Sequence, residues 1–168
     1  FGFLVGSYAI GIFLPVMLRE GKLTDIEIGF VSSGCYVVAV IGMILWGRHV
    51  GRGGSKVVNL TLSCVLSALG FLGAILFSEN FWVSVAMMAL AITGINGARA
   101  IFWTIPPRFL TGMAAAGGLA FINSIGTTGG FVGPYVMGWL TDETGSFNAG
   151  LLAMSGFLIL ATALSWSL

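Results

Sequence analysis

Long apolar runs alternate along this chain with short polar breaks. The breaks hold Arg19, Glu20, Lys22, Asp25 and Glu27; then Arg48, Arg52 and Lys56; then Glu79; then Arg108; then Asp142 and Glu143. The runs between them are continuous and do not alternate every second residue, so they predict helices and not barrel strands. Crossing a hydrocarbon core of about 30 Å takes roughly 20 helical residues, and the runs are about that long. Six spans are expected, at about 1–18, 27–47, 56–78, 81–110, 113–140 and 147–168. The fold class is thus all-α, a polytopic bundle of six transmembrane helices.

Local signals set the boundaries. Thr24 or Asp25 is an N-cap for the second helix, just before its apolar run. The turn Ser78-Glu79-Asn80 leads into the fourth helix, which either stops at Trp103 ahead of Pro106-Pro107 or runs kinked to Leu110. The fifth is interrupted by Gly-rich segments and Pro134, and the sixth follows the turn from Asp142 to Ser146.

Composition agrees with a bilayer as solvent. Apolar residues make up 57% of the chain and charged ones 8%, against roughly 25% charged in a soluble domain. The net charge of +1 implies no nucleic-acid partner. The 26 glycines suit close helix contact in lipid. Cys35 and Cys64 fall inside spans and read as small buried apolar residues. His49 is the single histidine and cannot form a metal cluster alone, so neither metal nor cofactor is expected. Enzyme signatures are lacking: there is no intramembrane Asp or Glu pair, no HExxH, and no Ser with an activating His. With no initiator Met and an apolar start at Phe1, the chain reads as a fragment of a longer protein.

Lys and Arg are retained on the cytoplasmic side of a membrane. One set of breaks carries Arg48, Arg52, Lys56 and Arg108, with His49 nearby, and the other carries Arg19 and Lys22. The bias places both ends of the segment in the cytoplasm.

Arg99 is the one charge inside an apolar run. If the fourth helix spans 81–110, Arg99 sits close to the midplane, where a fixed cation facing a cavity binds a carboxylate bidentately. If the helix stops at 103, Arg99 is near its end and snorkels to the headgroups. Phe102 and Trp103 continue the apolar run beyond it, which favours the first reading. Asn96 shares its helical face. Asn123 and Thr127, four apart near the centre of the fifth helix, either line a cavity or bond a neighbouring helix. Tyr8, with Ser7 beside it, lies mid-span, so its hydroxyl needs a partner. The segment from Gly47 to Lys56 is a basic, Gly-rich turn without the order of a phosphate-binding loop.

Several segments together are similar to a known family. They are Phe102-Trp103-Thr104-Ile105-Pro106-Pro107-Arg108-Phe109-Leu110-Thr111-Gly112, Ile122-Asn123-Ser124-Ile125-Gly126, Gly129-Gly130-Phe131-Val132-Gly133-Pro134-Tyr135 and Thr144-Gly145-Ser146-Phe147. They resemble the C-terminal half of a major facilitator superfamily transporter, and more narrowly its anion:cation symporter branch. Tyr8 through Pro15, and Leu45-Trp46-Gly47-Arg48-His49, agree with the same branch.

The resemblance implies helices seven to twelve of a twelve-helix carrier. It implies an absent N-terminal six-helix half, a small organic anion as cargo, a proton as coupling ion, and a bacterial inner membrane. From the residues themselves, the substrate would meet Arg99, Asn96, Asn123, Thr127 and Tyr8, with Arg99 standing where the family is expected to have a small neutral residue. The turn with Gly47, Arg48 and Arg52 would match the family's gating loop, with Gly51 where an acidic residue usually stands. Two other readings stay open from the residues alone: a six-helix receptor or scaffold subunit, with Arg99 paired to a partner's acid, and a transporter of neutral solutes in which Arg99 is structural.

Overall fold

The computed structural model describes residues 1–166, with the backbone alone at Met113 and Ala114. All regular structure among the described residues is helical: α1 (Gly2–Glu20), α2 (Asp25–Gly51), α3 (Lys56–Leu76), α4 (Phe81–Phe102), α5 (Gly112–Thr127), α6 (Gly129–Thr144) and α7 (Phe147–Trp166), with a 3-10 turn at Pro106–Arg108. Five segments are long and apolar enough to cross a membrane: α1, α2, α3, α7 and the stretch Phe81–Arg108. Consecutive α5 and α6 occupy the place of the expected fifth span. The protein is a multi-pass membrane protein.

Each boundary has a local cause. Thr24 caps α2 through a reciprocal box: its backbone N–H donates to Glu27 Oε2 at 2.8 Å, and Glu27 N–H donates to Thr24 Oγ1 at 3.4 Å. Ser55 and Asn80 cap α3 and α4 in the simpler way, each accepting from the backbone N–H three residues on.

Three sequence expectations need correction. The fourth helix ends at Phe102 and does not run to 110. Pro106 and Pro107 open a separate 3-10 turn, and neither has the backbone N–H that a continuing helix would need there. The second helix runs to Gly51, so Gly47 and Arg48 are helical. The loop itself is only Arg52 to Ser55, with Gly53 at φ 110°. The expected fifth helix is two helices, divided at Thr128 within one of the Gly-rich segments expected to interrupt it, while Pro134 lies inside α6. At the break, Thr127 and Thr128 turn their hydroxyls onto the carbonyls of Ser124 (3.0 Å) and Ile125 (2.7 Å), a back-bond that bends helices, and Gly126, Gly129 and Gly130 flank it. The expected end of the last helix at 168 lies outside the described residues.

Helix association in lipid depends on close packing, because lipid tails are as apolar as the side chains. The α3–α4 seam shows this. Ser63, Ser67 and Gly70 face Ala91, Gly94 and Gly97, and a Cβ on Gly94 would stand 2.6 Å from the Ser63 carbonyl oxygen. The seam between α1 and α6 is equally close: Gly129 and Gly133 lie on the Val5 backbone. Ser63 and Ser67 satisfy their buried hydroxyls within their own helix, on Asn59 O (2.8 Å) and Ser63 O (2.9 Å), whereas the buried Ser32 hydroxyl on α2 has no partner among the described residues. A further pair, Thr61 and Ser165, joins α3 to α7 at 2.8 Å.

The core lies among α1, α3, α4 and α7, around Val5, Phe71, Ile92, Ile95, Met154 and Leu158. In contrast, α2 buries only Ile28, Cys35, Ala39 and Val50, and α5 is exposed over most of its length. Charges sort to the two ends. Lys56 Nζ donates to Thr104 O at 2.9 Å, which puts the loop between α2 and α3 beside the end of α4. That end carries Arg48, Arg52, Lys56 and Arg108 and no acid. At the other end, Glu20, Gly21, Glu79 and Ser146 border one cleft, and the remaining acids lie close to those positions in the chain.

Candidate functional site

Arg99 is three residues before the end of α4, so its Cα is not at the centre of a span as a helix to 110 would have placed it. Its side chain nevertheless points inward. Helical side chains lean toward the N-terminus of their own helix, and Nη2 of Arg99 donates a hydrogen bond to Ser7 Oγ on α1. Gly6, next to Ser7, faces Ile95 on α4, a full turn deeper than Arg99. Ile95 is about 21 Å from the Phe81 end at 1.5 Å per residue. The guanidinium thus sits within the span, turned away from the headgroup end that a snorkelling arginine would seek.

Its electrostatics are unbalanced. Arg99 Nε is buried without a hydrogen-bond partner. Among the described residues the one ion pair joins Arg19 to Asp25, 3.2 Å apart at the surface. No carboxylate answers Arg99. A guanidinium has five N–H donors, and this half-buried one has a single neutral acceptor, which leaves it open to an anion.

Tyr36 on α2 lies beside this pair. Its hydroxyl is 3.7 Å from where a Cβ of Gly11 would stand. Ser7 and Gly11 are four apart and share a face of α1, so Arg99, Ser7 and Tyr36 converge along one strip. The strip opens sideways: Tyr36 is 39% exposed, Gly11 is exposed, and Ser7 and Arg99 are half-buried. The larger clefts lie elsewhere. One of about 340 Å³ is at the acidic end, and an apolar one of about 450 Å³ lies among Phe3, Leu60, Phe102, Phe157 and Leu164.

The other expected site residues are placed less closely. Asn96 is half-buried and spends its amide on Ile92 O, 3.0 Å away in its own helix. Tyr8 is 41% exposed with its ring against Gly130 of α6. Asn123 and Thr127 are exposed on α5, with the Thr127 hydroxyl on Ser124 O. Gly47, Arg48 and Arg52 lie exposed at the basic end. No hydrogen bond described here joins any of these residues to Arg99. Sequence reasoning passed over Tyr36, although the argument applied to Tyr8, that a mid-span phenol needs a partner, would have found it.

Comparison with known proteins gives the geometry a context. No family model matches the chain, and no solved structure matches it. Two proteins of Agrobacterium vitis, each named "Putative tartrate transporter", are 39% and 38% identical over 98% and 96% of this chain, and 36% and 37% of their own length. A "Quinolone resistance transporter" of Acinetobacter baumannii is 35% identical over 95% of this chain and 37% of its own. The chain spans a little over a third of the length of these relatives. Near-complete similarity of this chain to part of such proteins, carried on a bundle of membrane-spanning helices, places it in the major facilitator superfamily.

Proposed function

We propose that this chain is the C-terminal six-helix half of a secondary transporter that carries small organic anions by alternating access, in symport with protons. The observation that carries the reading is Arg99: a cation inside a membrane span, held by one neutral hydroxyl and answered by no acid. An intramembrane charge without a partner is best explained by a ligand that supplies the opposite charge, and a planar guanidinium suits a carboxylate. The names of the tartrate relatives point the same way.

In this reading Arg99 anchors the carboxylate. Tyr8, Asn96, Asn123 and Thr127 are secondary contacts, reached from α1, α4 and α5 as the halves rock. The basic end, with Gly47, Arg48 and Arg52, is cytoplasmic and closes that side of the site. Every acidic residue lies at a helix end or in a loop, so a proton relay needs a carboxylate in the other half. The membrane is a bacterial inner membrane.

The test is uptake by the full-length protein in proteoliposomes, with sugar acids, aromatic acids, neutral sugars and a quinolone as competitors. Carboxylates are expected to compete and neutral sugars not, with uptake driven by an inward proton gradient. Competition by neutral sugars alone would overturn the reading. Uptake indifferent to the proton gradient would remove symport from it.

A further inference from the structure

We infer that Tyr36, with Ser7, reads a hydroxyl next to the carboxylate held at Arg99, so that the site prefers hydroxy acids to carboxylic acids lacking the hydroxyl. The inference rests on the anion-carrier reading and adds a specificity to the same site. Ser7 Oγ accepts from Arg99, so its own O–H proton remains free to donate. The Tyr36 hydroxyl makes no hydrogen bond among the described residues, although it sits in the middle of α2. The Tyr36 side chain is partly exposed, so its hydroxyl is available to a ligand, and a Tyr serving only as an apolar filler would be better replaced by Phe.

The spacing fits a small substrate. Ser7 and Gly11 are one helical turn apart, about 5.4 Å, and Tyr36 meets α1 at Gly11 while Arg99 meets it at Ser7. A molecule that meets both the guanidinium and the phenol bridges about one turn of α1, a span suited to a small substrate. Gly11 leaves the strip between them bare. A Cβ there would touch the phenol at an ordinary 3.7 Å, whereas a branched side chain would crowd it. The phenol can donate to an anion or accept from an alcohol, which an aliphatic wall cannot do.

Tartrate and succinate have the same carbon chain and two carboxylates, and differ only in two hydroxyls. Competition constants for the pair, measured on the full-length protein, give a preference ratio. The wild type is expected to favour tartrate. Tyr36→Phe is expected to lower the ratio roughly three- to tenfold, the worth of one hydrogen bond. Gly11→Val, which crowds the phenol without altering it, should lower the ratio in the same direction and serves if Tyr36→Phe is poorly expressed. An unchanged ratio in both variants, or no preference in the wild type, would overturn the inference and leave the carrier reading standing. Arg99→Gln keeps the two separate: if that variant binds both acids as the wild type does, the carrier reading itself has failed.

Discussion

Arg99 and Ser7 are 92 positions apart in the chain, and the guanidinium of one donates to the hydroxyl of the other across the contact between α4 and α1. The bond sets where the charge sits. Without it, the long side chain is free to swing toward the nearer end of α4, where water and headgroups would take it.

Ser7→Ala is therefore expected to weaken carboxylate transport without unfolding the bundle. Hydrogen bonds to charged groups contribute about 1.5–3 kcal/mol, and most of that should appear as a rise in KM of about tenfold. The effect should vanish when Arg99 is already Gln. A double-mutant cycle on uptake measures the coupling, and additive losses would show that Ser7 acts independently.

At the α3–α4 seam, Gly94 and Gly70 leave no room for a methyl group. A Cβ at Gly70 would stand 2.6 Å from Ala91 N, and one at Gly94 would meet Ser67 Oγ and the Ser63 carbonyl. Gly94→Ala and Gly70→Ala are each expected to cost about 1–3 kcal/mol, seen as a lower unfolding temperature in detergent. Gly34→Ala, with nothing within 4 Å, is the control and should be neutral or slightly stabilising.

Thr24→Ala removes the Oγ1 bonds of the box that opens α2 and leaves the backbone N–H of residue 24 on Glu27 in place. A loss of about 0.5–2 kcal/mol is expected, concentrated at the helix start. Amide hydrogen exchange should speed up at Glu27 and its neighbours and stay unchanged in α3.

Lys56→Met breaks the link from α3 to Thr104. The 3-10 turn at Pro106–Arg108 should then exchange faster, with the unfolding temperature little changed, since the lost bond is exposed.

The bundle was legible in the sequence because lipid imposes simple rules. Charges interrupt apolar runs where the chain must meet water, and Thr24 with Glu27 spells a cap that the structure contains. Arg99 was legible as a charge out of place. The break at Thr128 was legible in part: the Gly-rich segment there marked an interruption, as Pro134 also did, but not that two threonine hydroxyls on nearby carbonyls would divide the helix. Nor could spacing along the chain pair Arg99 with Ser7 or bring Tyr36 onto Gly11, since those contacts depend on how three helices dock. Asn123 and Thr127 share a helical face as expected, yet that face is not turned to Arg99 by any hydrogen bond described here.

The most direct measurement is carboxylate binding to purified full-length protein carrying Arg99→Gln and Arg99→Lys, with membrane expression and folding matched to wild type. A guanidinium that meets the substrate predicts at least a tenfold loss in the Gln variant, about 1.4 kcal/mol. Only partial recovery is expected in Lys, whose point charge cannot form the bidentate pair. Affinity equal to wild type in the Gln variant would contradict the account, making Arg99 a structural charge and leaving the anion to bind elsewhere.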